Sequence, residues 1–90
     1  MNAMTDNAAA HRFELTENGV TSFADYRLTG ARLIIDHVET PEAARGTGSA
    51  GRLMAAIADH ARAEGQTITP LCSYAAAWLL RHPEFADLVA

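Results

Sequence analysis

Three features of the chain predict a mixed α/β fold with antiparallel strands in its N-terminal part and a parallel strand-helix-strand unit in its C-terminal part. Apolar residues alternate on both sides of Asn18-Gly19, the turn chemistry of a hairpin. The run Leu33-Ile34-Ile35 is apolar on both faces, as an interior strand is. A helical stripe opening near Gly48 is followed, past Gly65, by a second β-prone stretch.

The elements follow in order. Residues 1–10 are polar and Ala-rich with no repeating apolar face, and they are expected to form a disordered tail ahead of a single domain over 11–90. Phe13 and Leu15 alternate with Arg12, Glu14 and Thr16 in a first strand. Val20, Ser22, Ala24, Tyr26 and Leu28 then share one side of a second, and Thr29-Gly30 turns into a third over 31–39. Pro41 ends that strand. At 100° per residue Ala50, Leu53, Met54, Ile57, Ala61 and the stem of Glu64 share a helix face opposite Arg52, Ala55, Asp59 and Arg62, and Gly65 closes the helix. Thr67-Ile68-Thr69 reads as a fourth strand ending at Pro70; placed after the helix, it should run parallel to the third through a right-handed crossover. Ser73 is expected to cap a second helix through Arg81, with Pro83 closing it and a short tail from Glu84.

Composition narrows the function. The 90 residues hold one core, and the 7 basic residues are all Arg against 11 acidic ones, a net charge of -4. With no basic cluster, a role in gripping nucleic-acid backbones is excluded. No stretch has the roughly 20 apolar residues that span a bilayer, and the first residues lack the pattern of a secretory leader, so a soluble cytoplasmic protein is expected. A lone Cys72 cannot form an internal disulfide; its thiol is either packed or chemically used.

The most informative segment is Arg45-Gly46-Thr47-Gly48-Ser49-Ala50-Gly51. It satisfies G-x-G-x-x-G, but residues 41–45 separate it from its strand, no acidic residue lies near Leu71 for a ribose, and the chain is too short for a dinucleotide fold. A P-loop needs a Lys that the chain does not have. A bland reading, a flexible turn ahead of a helix, stays open. The third reading is R-x-x-G-x-A at Arg45, Gly48 and Ala50. Unpaired N–H groups, the helix dipole and absent side chains suit such a turn to a diphosphate without any Lys.

That turn resembles the acyl-CoA-binding signature of the Gcn5-related N-acetyltransferase superfamily. The likeness extends over roughly residues 13–85, through Asp36-His37-Val38-Glu39-Thr40-Pro41, Asp59-His60-Ala61-Arg62-Ala63-Glu64-Gly65, Pro70-Leu71-Cys72 and Arg81-His82-Pro83-Glu84-Phe85. With these landmarks the chain is similar to the very small, single-domain members of the YjdJ type. The resemblance implies the compact acyl-CoA N-acyltransferase fold and acetyl-CoA as cofactor. It implies a pantetheine arm along Val38, Glu39 and Thr40, and a diphosphate on Arg45, Gly46, Thr47, Gly48, Ser49 and Ala50. Larger members carry N-terminal helices that help form the acceptor site, and often a Tyr after the last core strand that reprotonates the thiolate. Here Trp78 stands nearest that Tyr, and an indole is not an acid.

Amine acetylation requires a base, oxyanion donors and an acid. Strand topology nominates His37 and Cys72, near the ends of the two parallel strands, as partners: Cys72 as transient acetyl acceptor or as acid for the thiolate. A packed Cys and a hydrogen-bonded structural His explain the same residues equally well. Glu39, on the face of His37, is a second base, and Tyr74 a replacement acid. His60 and His82 read as structural, and the four His are too scattered for a metal centre. The second helix, apolar almost all round through Tyr74, Trp78, Leu79 and Leu80, offers a surface for a homodimer or another protein. Two functions follow: an N-acetyltransferase acting on a small-molecule or protein amine, or a non-catalytic acyl-CoA-binding module or subunit completed by a partner. A purely structural domain would leave the Gly-rich turn unexplained.

Overall fold

The computed structural model describes residues 4–90. Five strands form one sheet in the order of the chain: β1 (Met4–Asn7), β2 (Arg12–Glu17), β3 (Val20–Thr29), β4 (Arg32–Glu39) and β5 (Thr67–Pro70). β1 to β4 pair antiparallel, and β5 pairs parallel to β4 across the helix α1 (Ser49–Ala63). The helix α2 (Ser73–Leu80) follows β5, and a 3-10 segment Pro83–Leu88 follows α2.

The β2-β3 turn is made by Asn18 and Gly19 at φ 52° and 76°, the doubly left-handed pair whose twist matches two antiparallel strands. β3 turns Ser22, Ala24 and Tyr26 inward, and β4 turns in Leu33 and Ile35. α1 lays Leu53, Met54, Ile57 and Ala61 on this face; Ala56 and Ala58 are buried as well. α2 adds Ala75, Trp78 and Leu79 to the same core. Where α1 and α2 meet, a Cβ on Gly51 would stand 3.4 Å from Trp78 Nε1 and 3.8 Å from the Tyr74 hydroxyl, so the helices pack on a missing side chain. A buried hydrogen bond of 3.0 Å joins the Ser22 and Ser49 hydroxyls and fixes the start of α1 on β3.

Three expectations are corrected. Met4–Asn7 is not a tail but an edge strand, and residues 1–3 of that expected tail lie outside the described residues. β1 is held by its ladder to β2 and by side chains: Tyr26, stacked on Phe13 at 4.3 Å, donates its hydroxyl proton to Asp6, and Asn7 Nδ2 donates to Glu14 at 3.1 Å. Ser73 does not cap α2; it is the first helical residue, and Cys72 stands at the cap without a side-chain bond. The segment from Glu84 is not loose. Its Leu88 is buried, Arg62 holds Asp87 and the Glu84 carbonyl, and the Ala90 amide bonds Ile68 of β5.

Two outcomes follow for stability. Ser22→Ala and Ser49→Ala should each cost about 1–3 kcal/mol by leaving the other hydroxyl buried and unpaired. The double variant should cost little more than either alone, a coupling read from urea unfolding. Burial, then the bond and charge of Asp6, push the Tyr26 hydroxyl from 10.0 up to about 12. Between those values the native state keeps a proton that the unfolded chain has lost, so stability present below pH 10 declines as pH rises toward 12. Tyr26→Phe should flatten that decline in urea midpoints measured across the same range; an unchanged slope would show that the bond to Asp6 carries no alkaline linkage.

Candidate functional site

β4 outruns β5. Their register pairs Arg32 with Thr67 and ends at Ile35 with Pro70, while β4 continues to Glu39. The Ile35 carbonyl then accepts both the Leu71 and the Cys72 amides, at 3.0 and 3.2 Å, and the chain leaves for α2. On its other side β4 carries one extra residue: Tyr26 faces Ile35, but Asp25 faces His37, so Asp36 is a bulge. Past the bulge Val38, opposite Ala24, points to the helix-covered side, while His37 and Glu39, opposite Asp25 and Phe23, point to the other.

In the gap lies an open cleft of about 450 Å³ between the end of β4, the Gly-rich turn, the first turn of α1 and Tyr74 of α2. Val38, Glu39, Thr40, Arg45, Gly46, Gly48, Ser49 and Ala50 line it, together with Ala44, Gly51 and Tyr74. A 3-10 segment Glu42–Ala44 brings the chain to the turn, where Gly46 and Gly48 take φ 79° and 85°. Thr47 does not line the cleft; its hydroxyl donates to the Ala44 carbonyl and accepts the Ser49 amide at 3.3 Å. The Thr47 amide bonds Ala44 at 3.2 Å. No protein acceptor meets the amides of Gly46, Gly48, Ala50 and Gly51 among the described residues, and all four residues line the cleft. Along the turn the amides of Thr47 and Ser49 are used within it, while those of Gly46, Gly48, Ala50 and Gly51, at the cleft, are left without a protein partner. Arg45 reaches back from its Nε to the Thr40 carbonyl at 3.4 Å.

The predicted catalytic residues are placed unequally. His37 Nε2 meets Glu39 Oε1 at 2.8 Å, and Glu39 is at the cleft wall. His37 and Cys72 form no such pair, and neither lines the cleft. The bulge turns His37 to the outer sheet face, whereas half-buried Cys72 packs against the core. Trp78, 5% exposed, is core, and its ring stacks on His82 at 3.7 Å. His82 Nδ1–H donates to the Trp78 carbonyl at 2.7 Å, closing α2 as expected of a His at a helix end. Tyr74, one turn earlier, is the hydroxyl at the cleft, and burial raises its pKa, so it remains a proton donor at neutral pH. Sequence reasoning counted Gly51 only in the rejected dinucleotide motif and gave no role to the Ser22 hydroxyl or to the pairing of Arg52 with Glu17, whose 35-residue separation leaves no local signal.

A family model described as GCN5-related N-acetyl-transferase matches residues 12–88. The chain belongs to this family. Its structure is similar to that of a GCN5-like protein from Staphylococcus aureus solved in solution by NMR, with a TM-score of 0.66 at 23% identity over 89% of this chain and 81% of the other. That likeness is one of fold: the mixed sheet with a parallel β4-β5 pair and its helices is the architecture of the GCN5-related N-acetyltransferases. No described helix is long and apolar enough to cross a membrane.

Proposed function

We propose that this GCN5-related N-acetyltransferase is a cytoplasmic protein of the YjdJ type that binds acetyl-CoA in the cleft and transfers its acetyl group to an amine. The reading is carried by the four unpaired amides of Gly46, Gly48, Ala50 and Gly51 at the N-terminus of α1. They give a diphosphate directed donors where the helix dipole is positive, and Arg45 adds a charge at the wall. The exposed backbone of Val38 to Thr40, beyond the reach of β5, suits the amide-rich pantetheine arm as an added strand. When bound, acetyl-CoA supplies a thioester whose C–S bond breaks as the new N–C bond forms.

Glu39, at the wall and in contact with His37, is the base that takes the amine proton, with the imidazole orienting the carboxylate and able to pass the proton to solvent. Tyr74 returns a proton to the departing sulfur. Cys72 is the alternative acceptor of the acetyl group, since its amide sits on Ile35 where the strands part. A second reading, an acyl-CoA-binding module or subunit completed by a partner, is favoured by one observation. Among the described residues no helix covers the outer sheet face, where Arg12, Phe23, Asp25, Arg27, Asp36 and His37 stand half-buried or exposed.

Calorimetry with CoA and acetyl-CoA tests the site. Gly48→Glu should abolish binding by placing bulk and like charge at the diphosphate, while a cooperative urea transition shows that the chain still folds. Undiminished affinity would move the site elsewhere. Thiol release from acetyl-CoA across an amine panel and cell extract tests the chemistry. Glu39→Gln should lower turnover by about 100-fold or more with cofactor affinity kept, as loss of a general base does. Cys72→Ala should keep turnover; its loss, together with an acetyl adduct on the parent in intact-mass spectra, would assign Cys72 the covalent role instead. Binding of CoA without thiol release in the presence of any amine or of extract would favour the binding module.

A further inference from the structure

One guanidinium at the turn is only partly used. Arg52 Nε and Nη2 each donate to Glu17, at 2.8 Å, and Nη2 also donates to the Thr47 carbonyl at 3.0 Å. Nη1 makes no hydrogen bond to the protein among the described residues. It lies 2.9 Å from where a Cβ on Gly48 would stand. The side chain is therefore clamped on two of its nitrogens; Arg52 itself lines a small hollow with Glu17, Ala44 and Thr47 rather than the cleft, and its third nitrogen lies over Gly48, which does border the cleft. Glu17 comes from the far end of the β2-β3 hairpin, so the clamp spans 35 positions of sequence to hold one arginine beside one turn.

We propose that Arg52 is a cofactor ligand, donating from Nη1 to the diphosphate, and that Glu17 positions it. The inference rests on the acyl-CoA reading and deepens it. A bidentate carboxylate fixes the plane of a guanidinium and so orients the donors that remain. The same pair explains how an acidic protein without Lys tolerates a carboxylate near an anion: Glu17 is spent on Arg52, which holds its carboxyl below the usual range. Arg45 and Arg52 would then grip the diphosphate from the two ends of the segment that presents the amides.

The test is calorimetry on the full chain with CoA and with dephospho-CoA, which keeps the diphosphate but lacks the ribose phosphate. Arg52→Gln should weaken both by about 10- to 100-fold, the scale of one charged hydrogen bond. Arg52→Lys should also weaken both, because one nitrogen cannot serve Glu17 and a phosphate together, and should show that the fold tolerates the site. Glu17→Gln should also weaken both, but by clearly less than Arg52→Gln, since the arginine remains while the carboxylate that orients it is gone. The phosphorus resonances of bound CoA should move in Arg52→Lys and move less in Glu17→Gln. Equal losses in Glu17→Gln and Arg52→Gln would reduce Arg52 to a brace and overturn the proposal, as would a loss confined to CoA, which would assign Arg52 to the ribose phosphate. Unchanged binding in Arg52→Gln overturns the proposal and leaves the cleft reading standing. A parent chain that binds neither ligand overturns both.

Discussion

The carbonyl of Ile35 is the last point at which β4 and β5 are held together, and it is shared between two amides of the departing chain. Pro70, paired with Ile35, has no N–H to extend the ladder, and the residues after it turn into α2. β4 meanwhile must stay paired to β3 on its other edge as far as Glu39, and the extra residue at Asp36 bends it there. One strand continues and the other leaves; the wedge between them is the cleft. Moving this point by one residue would change which side chains face the helices, because alternation along a strand has a period of two. The bulge makes such a change midway, so Ile35 and Val38, three apart, point to the same side.

The second constraint is electrostatic. A net charge of -4 opposes any anion at long range, so an anion site has to be local and directed. The turn meets this with backbone groups, whose partial charges remain when the chain's net charge is unfavourable. Thr47 and Ser49 are as important as the glycines here, although Thr47 does not line the cleft and the Ser49 hydroxyl is bonded to Ser22. Thr47 satisfies the carbonyl of Ala44 and the amide of Ser49, and Ser49 secures the helix end to Ser22. The bonds of Thr47 and Ser49 thus brace the segment in which the unpaired amides stand.

The hairpin, the long helix, its glycine stop and the parallel strand were legible because each depends on local chemistry: Asn18-Gly19, the Leu53/Ile57 stripe, Gly65 and a β-prone run before Pro70. The turn was legible for the same reason, and its residues border the cleft as a group apart from Thr47. What escaped depends on partners distant in sequence. β1 rests in part on Asp6 meeting Tyr26, 20 positions away, and neither alternation nor turn chemistry announces that contact. The Asp36 bulge is equally silent, since it shows only when two strands are laid side by side. The expectation that His37 and Cys72 are partners rested on their places near the ends of the two parallel strands; strand order does not say which face a residue takes, and past the bulge His37 lies on the outer one. Trp78 was matched to the family's Tyr through the resemblance; Gly51 lets α1 approach closely enough to enclose it, and Tyr74 stands at the wall instead.

Glu39 is where the two sides of the sheet meet. Its register places it beside Phe23 on the outer face, and its position at the strand end places it on the cleft as well. A carboxylate in that position can draw an ammonium group from the open face toward the wedge. The opposite approach is closed, because α1 and α2 occupy the other face and touch across Gly51. On the proposed reading the acceptor therefore comes over a surface whose charges are already paired, Arg12 with Asp25 at 3.2 Å and Arg27 with Asp36 at 2.7 Å. Exposed pairs of this kind add little stability and exchange partners at low cost. The surface thus offers an approaching amine both signs of charge, with Glu39 at its edge.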